Sequence, residues 1–368
     1  MSNKLEKVQS YIDRILIDPS TGKKNPYMGE DYAHLIGVSS FCSFLAFKRK
    51  LDPELAAIIG LFHDIYRFKT GVDNYHGING AEMCRVILRT VGYLSDDEKQ
   101  KILSAVYHHS DKANVHGEYD ELLKDADLFQ SFMKQGGLKI HAFWLSRLKK
   151  LSLELGFSMD FPAETENGTL IYKEKIIDKR SILADIAERL AAKSITGSRD
   201  DSVYMNLIRY FPEDSAFDEL KNAWCGAFVY HCCQEAGFRF PIKWKPSDKL
   251  RFASVAAWNT WAHEPERNYF IQDTEGFIPE GGDIVLYRNS IPPENKPAEQ
   301  RNVPIDHIGI VLGSENGRFT VAEGNVNNKN TSGILCRPLH ENIEGFIRID
   351  NDLEYDGWKC DWPLGSDR

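Results

Sequence analysis

Apolar residues recur at helical spacing across 33–48, 54–68, 79–92, 97–109 and 138–155, and each stretch predicts a helix. Asp52 ahead of Pro53 has the form of an N-cap followed by a first-turn proline. Ser95 followed by Glu98 has the form of a capping box. This half of the chain carries no strand signal. Segment 156–170, GFSMDFPAETENGTL, holds two glycines and a proline without a period, which predicts a linker. Helical spacing resumes over 171–193 and 222–236, with Gly237 as a stop. Beyond about residue 280 the pattern changes. GGDIVLY, HIGIVLG, RFTVAEG and GFIRI are short, β-branched and bounded by glycine, so they predict strands. The Pro- and Asn-rich stretch 288–304 reads as a loop. The expected organisation is two domains: an all-α N-terminal bundle over 1–158 and an α+β domain with a small antiparallel sheet over 175–352. A linker at 159–174 joins them, and a tail at 353–368 follows.

Composition narrows the function classes. The 368 residues carry a net charge of −9, which disfavours non-specific nucleic-acid binding. The apolar runs, such as Leu55–Phe62, fall well short of the roughly 18 residues of a membrane helix. The N-terminal MSNKLEKVQSYIDRI is charged and amphipathic and lacks the apolar centre of a secretory signal. Seven cysteines, an odd count and not densely spaced, suit reduced thiols and a cytoplasmic protein better than a disulfide scaffold. Cys42, Cys84 and Cys232 read as small hydrophobes.

Glu30, His34, His63, Asp64, His76, His108, His109, Asp125 and Asp127 fall within the helical half. Glu30 and His34, four apart, share a helix face. His63 and Asp64 end the apolar run AAIIGLFHD, where a buried polar pair needs a partner. A cation satisfies both groups. Mixed imidazole and carboxylate donors suit Mn, Fe, Co, Ni or catalytic Zn, with Mg also among the candidates. His116 and His141 fit no pattern and read as structural.

These residues carry a resemblance. His34 in EDYAHLIGV, His63–Asp64 in LFHDIYR, His76 in HGINGAE, His109 in YHHSDK and an aspartate in KDADLFQ follow the order seen in the HD superfamily of metal-dependent phosphohydrolases, which segment 30–132 resembles. The resemblance implies one or two divalent metals. His34, His63, Asp64 and the last aspartate would bind one; His76 and His109 would complete a second site, with Asp64 bridging. The family pattern favours Asp127, with Asp125 as the alternative. His108 matches a paired histidine of two-metal members, and Glu30 is a further candidate. Two metals clamp the attacking and leaving oxygens of a phosphate ester. With one metal, Asp64 would instead position the water.

The second constellation lies in the C-terminal half. In NAWCGAFVYHCCQEAGF, Cys225 falls at a helix start, where the dipole favours thiolate and free N–H groups can hold an oxyanion. His307 opens HIGIVLG. Glu323 and Asn325 are two apart in TVAEGN and share a strand face if the strand runs that far. A helix-borne thiol, a strand-borne imidazole and an orienting polar group make up the logic of cysteine hydrolases. Trp224 and Asp283 read as structural. Asp306 reads either as a tuner of His307 or as a solvated loop charge.

WCGAFV, GGDIVLY, DHIGIVLG and AEGN resemble the CHAP-type amidases and peptidases of the NlpC-like, papain-like class, over about 180–350. The resemblance implies Cys225 as nucleophile, His307 as base and Glu323 as the third residue, with Asn325 the runner-up. The expected protein is therefore a bifunctional hydrolase. One domain would act on a small-molecule phosphate ester or nucleotide, the other on a peptide-like amide, with neither a membrane nor a nucleic acid as partner. Two other readings remain open: a nucleotide-sensing HD domain that gates the cysteine hydrolase, and a peptidoglycan-cleaving lysin.

Overall fold

The computed structural model describes residues 4–17, 28–134, 142–156, 178–245, 250–296, 303–353 and 355. The described residues up to Gly156 form one compact unit, and those from Asp178 onward form another. The expected linker 159–174, His141, and all of the expected tail except Leu353 and Tyr355 lie outside the described residues.

The described part of the first unit is helical. Its elements are α1 (Lys4–Ile17), α2 (Met28–Arg49), α3 (Pro53–Phe62), α4 (Ile65–Thr70), α5 (His76–Thr90), α6 (Asp96–His108), α7 (Glu118–Lys134) and α8 (Ala142–Leu155). Helix α3 is the hub, with every residue from Leu55 to Phe62 buried. Helices α1, α2, α6 and α7 pack around it. Its start forms as expected: the Asp52 side chain accepts from the Glu54 and Leu55 N–H groups, and Pro53 occupies the first turn. The Ser95–Glu98 capping box also forms, at the head of α6.

Two features differ from the expected helices. The single helix expected over 54–68 is broken, because Asp64, at φ −109° and ψ 16°, leaves the helical conformation between α3 and α4. Helix α7 was not among the expected stretches, although Tyr119, Leu122, Leu123, Ala126, Phe129 and Phe132 recur at helical spacing; Asp120, Lys124 and Asp125 are buried beside them.

The second unit opens with helices α9 (Lys179–Ala191), α10 (Ser202–Ile208), α11 (Ala216–Leu220), α12 (Cys225–Glu235) and α13 (Val255–Ala262). Six strands follow: β1 (Phe270–Gln272), β2 (Ile284–Arg288), β3 (Ile305–Glu315), β4 (Arg318–Glu323), β5 (Gly333–Pro338) and β6 (Ile343–Ile347). They form one antiparallel sheet in the order β1-β6-β2-β3-β4-β5. The four strands expected from the sequence form its four inner positions, while β1 and β5 are the edges. Val285, Tyr287, Val311, Phe319, Val321 and Phe346 make one hydrophobic cluster of the sheet. Helices α9, α12 and α13 pack against β3. Asp283 is structural: Arg348 donates to both of its oxygens, at 2.8 and 2.7 Å. Among the described residues, no helix is long and apolar enough to cross a membrane.

Candidate metal centre and cysteine site

The break after α3 places His63 and Asp64 in the middle of the helical unit, where three other histidines meet them. His34 comes from α2, His76 from the first turn of α5, and His109 from the end of α6. The Nδ1–H groups are committed elsewhere. His63 donates to the Gly60 carbonyl at 2.7 Å, His76 to the Asp73 carbonyl at 2.6 Å, and His109 to the Val106 carbonyl at 2.6 Å. His34 Nδ1 is paired with the Gln130 side-chain oxygen. An acceptor at Nδ1 fixes the proton there and leaves Nε2 as a lone pair, which at His76 meets the Ser110 hydroxyl at 3.0 Å. Those lone pairs converge. His63 and His34 Nε2 are 3.3 Å apart, and His76 and His109 Nε2 are 2.9 Å apart.

Asp64 lies between the pairs. Its Oδ1 is 3.3 Å from both His76 and His109 Nε2. Its Oδ2 is 3.6 Å from His63 Nε2 and 3.9 Å from His34 Nε2. Oδ1 is buried without a hydrogen-bond partner. Asp127 Oδ1 completes the His34 side at 3.2 Å. Two donor groups result, His34–His63–Asp127 and Asp64–His76–His109, and either could hold a metal ion. Facing lone pairs and an unpartnered buried carboxylate oxygen are unfavourable alone and are satisfied by a cation, so the residues fit the implied metal.

The electrostatics agree. Burial pushes His63 down to about 4, which keeps it neutral and able to act as a donor. Burial works against the charge of Asp64, but His63 and His76 beside it hold its carboxyl well below the usual range. Asp127 is likewise held well below that range against burial, chiefly by Lys112, whose Nζ is 2.6 Å from Oδ2.

Three sequence candidates are not brought here. Asp125 is taken by Arg49 Nη2 at 2.6 Å and Arg147 Nη1 at 2.8 Å, which neutralise it on another face of α7. His108 pairs with Asp120 at 2.5 Å and stacks on His116, whose ring centroid is 3.8 Å away. Glu30 is exposed and lies 3.5 Å from Lys134.

In the second unit, Cys225 is the first residue of α12 and its side chain is nearly buried. The N–H groups of that first turn lie outside the helical ladder. Helix and neighbours approach closely. A Cβ on Gly226 would lie 2.6 Å from the Ala253 carbonyl oxygen, and one on Gly324 would lie 2.5 Å from Phe228 Cβ. Only glycine fits at either position. Gly324 follows Glu323 at the end of β4, so this contact sets the strand end against α12.

His307 and Glu323 are fully buried, with His307 Nε2 2.9 Å from Glu323 Oε2. The opposite ring nitrogen, Nδ1, is buried without a hydrogen bond of regular geometry. Burial disfavours the charge on His307, yet Glu323 and then Cys225 raise its proton affinity well above that of an ordinary histidine. Glu323 is held low, against burial, by His307 and by Arg337. Arg337 Nε and Nη2 reach the two Glu323 oxygens at 2.8 and 2.9 Å.

Asn325 does not share this arrangement. Strand β4 ends at Glu323, and Asn325 takes the left-handed conformation at φ 53°, so the two-residue alternation stops before it. Its side chain instead donates to the Asn222 carbonyl at 2.7 Å and accepts from the Asn330 N–H at 2.9 Å. Asp306 is an anchor rather than a solvated charge. It accepts from the Ser290 and Ile291 N–H groups and is 2.6 Å from Lys296. Trp224 is fully buried and donates to Asn330 at 3.1 Å.

Family models match both halves: one described as HD domain covers residues 31–131, and one described as CHAP domain covers residues 217–325. The chain joins an HD domain to a CHAP domain. No curated protein and no solved structure matches it. These are domains of the metal-dependent phosphohydrolase superfamily and of the amidase/peptidase class.

In the HD domain, a cleft of about 410 Å³ opens over His34, Asp64, His76 and Asp127. Arg67, Lys112 and Lys134 line it as well. Arg67 Nη1 is 3.1 Å from Asp64 Oδ2. In the CHAP domain, Cys225 borders a cleft of about 580 Å³ together with Ala253, Ser254, Val255, Val303 and Ile305. Arg251 bridges Glu213 and Glu219 on its wall. Sequence reasoning missed Arg67, Lys112, Gln130 and Arg337. A cation three residues after the His-Asp pair was the only available signal for Arg67. Arg337 belongs to the unrecognised strand β5.

Proposed function

We propose that the protein is a bifunctional hydrolase. Its HD domain hydrolyses phosphate esters with a divalent metal, and its CHAP domain hydrolyses peptide-like amides through Cys225.

For the HD domain, the carrying observation is the convergence of four Nε2 atoms on Asp64, with His76 and His109 facing its unpartnered Oδ1 and His34 and His63 facing Oδ2. His34, His63, Asp64 and Asp127 would hold one ion, and Asp64, His76 and His109 a second. A divalent ion bound there supplies Lewis acidity toward a phosphoryl oxygen and toward water. The Nδ1 acceptors fix the tautomer and the aim of the imidazoles. Arg67, Lys112 and Lys134 at the cleft give the anionic substrate its counter-charge.

The test is metal removal from the full-length protein. Chelation is expected to abolish hydrolysis of p-nitrophenyl phosphate or bis(p-nitrophenyl) phosphate, and Mn, Fe, Co, Ni, Zn or Mg to restore it. The N-terminal unit is also expected to gain about 2.7 kcal/mol of stability at free metal 100 times Kd. Hydrolysis that persists in protein shown to be metal-free by mass spectrometry rejects the reading.

For the CHAP domain, the observation that supports the reading is the buried His307–Glu323 pair, with His307 Nδ1 left without a hydrogen bond of regular geometry and its proton affinity raised by Glu323 and then by Cys225. Cys225 transfers its proton to His307, and the thiolate attacks the amide carbonyl. The first-turn N–H groups of α12 hold the oxyanion. As the C–N bond breaks, His307 gives its proton to the leaving amine, leaving a thioester on Cys225. Water then attacks the thioester, its proton passes to His307, and the C–S bond breaks to release the acid and the Cys225 thiolate, paired with the protonated His307.

This reading inverts the order of exposure. Cys336 is exposed and Cys225 nearly buried. Iodoacetamide at pH 6 is nevertheless expected to label Cys225 first, because the thiolate reacts rather than the thiol. Faster labelling of Cys336, read by peptide mass spectrometry, counts against the triad.

A further inference from the structure

The cysteine site has a fourth charged member. Taken alone, a thiolate, an imidazolium and an ionised Glu323 carry a net charge of −1, and His307 and Glu323 are fully buried. An unbalanced buried charge is costly and is commonly relieved by protonation, here of Glu323 or of the thiolate. Arg337 supplies the missing positive charge. Its fork grips both Glu323 oxygens, at 2.8 and 2.9 Å. The guanidinium also lies 4.8 Å from the centroid of the Tyr287 ring. That ring stacks on His307 at 5.9 Å and 25°, and it pairs with His307 in the β2–β3 ladder. Arg337, Tyr287 and His307 are therefore layered, with Glu323 tying the outer layers together.

The titratable and charged neighbours that act most strongly on the pair fit this arrangement. Glu323 meets His307, Arg337 and Tyr287, and His307 meets Glu323, Cys225 and Tyr287. The Tyr287 hydroxyl stays protonated, because burial raises it well above an ordinary tyrosine. Arg337 is thus the neighbour that brings a fixed positive charge to Glu323. It reaches in from the edge strand β5, and its own side chain is partly open to water.

We propose that Arg337 is a positioning residue of the cysteine site, whose bidentate grip keeps Glu323 ionised and makes a neutral set of thiolate, imidazolium, carboxylate and guanidinium. The inference rests on the assignment of Cys225, His307 and Glu323 made above. It assigns Arg337 no contact with substrate; it acts through Glu323 on His307, and through His307 on the thiol.

The experiment is the pH profile of Cys225 alkylation by iodoacetamide in the full-length chain, followed by peptide mass spectrometry. Wild type, His307→Ala, Arg337→Met and Arg337→Lys are compared, with the fold of each checked by circular dichroism. Wild type is expected to alkylate with a midpoint well below that of an ordinary thiol, and His307→Ala to lose that depression. Arg337→Met is expected to raise the midpoint by about one pH unit or more, the scale on which a neighbouring charge acts. Arg337→Lys keeps the charge and is expected to stay nearer the wild-type midpoint. Arg337→Gln supplies the same reading if the methionine variant does not fold.

A folded Arg337→Met with the wild-type midpoint, beside a raised midpoint in His307→Ala, overturns the role of Arg337 and leaves the triad standing. A wild-type midpoint at the ordinary thiol value, unmoved in His307→Ala, overturns both. A structural role alone would lower the amount of active protein without moving the midpoint.

Discussion

Asp64→Ala is expected to abolish metal binding and phosphate-ester hydrolysis together. The carboxylate touches both donor groups, with Oδ1 3.3 Å from His76 and His109, and Oδ2 3.6 Å from His63. Loss of a single outer partner of a metal ligand costs roughly 10- to 100-fold in affinity or activity. Removal of a donor shared by two groups is expected to exceed the upper end of that range. The four histidines would keep their Nδ1 acceptors, so the scaffold is expected to survive. Arg67 would keep Asp31 and Asp73, 3.8 and 3.3 Å away. Asp64→Asn, which preserves shape and removes charge, serves as the fold control. The measurements are metal content by plasma mass spectrometry and hydrolysis of a nitrophenyl phosphate ester. Wild-type activity in a metal-free Asp64→Ala protein would falsify the assignment.

Cys225→Ala is expected to lower amide hydrolysis by about 10⁴- to 10⁶-fold, the scale of nucleophile removal in a triad. Phosphate-ester hydrolysis by the same chain should be unchanged, since the HD donors all lie in the first unit. The two activities are thereby separable in one molecule. Amide cleavage is best read with a peptide-amide library and purified peptidoglycan fragments, by amine release. The pH profile of the wild type adds a check. Glu323 and Cys225 raise the proton affinity of His307, so its imidazolium survives above the ordinary histidine range. The alkaline limb of activity is therefore expected above neutral pH. Retained amide turnover in Cys225→Ala would assign that chemistry elsewhere.

Much of this was legible before any coordinates. The helical half, the strands β2, β3, β4 and β6, and the caps at Asp52 and Ser95 follow from local periodicity and capping chemistry. Strands β1 and β5 were not legible. The first has only three residues, and β5 alternates without a well-buried face, as GILCRP. Helix α7, by contrast, was legible too, since Tyr119, Leu122, Leu123, Ala126, Phe129 and Phe132 recur at helical spacing. What its sequence does not show is that charges are buried beside them, such as Lys124, which donates to the Asn114 carbonyl at 2.9 Å.

The same limit applied to the sites. Asp125 and Asp127 are indistinguishable by residue type. The family pattern favours Asp127, and the physical separation comes from Arg49 and Arg147 on other helices, which take Asp125. The resemblance likewise favours Glu323, and the physical separation from Asn325 is where β4 ends. Arg337 is 14 residues beyond Glu323 and reaches it across the sheet, so no local pattern marks it.

The two glycine contacts on α12 have a consequence for how this domain can diversify. Gly226 rests on the Ala253 main chain, and Gly324 on the Cβ of Phe228. The approach of α12 to its neighbours is therefore set at two glycines, against the Ala253 carbonyl and against the buried Phe228 and Trp224 side chains. Glu219, Val255 and Val303 border the cleft without belonging to those contacts. Their replacement would reshape what enters while that approach is kept. The domain is built so that appetite and chemistry can evolve on separate schedules.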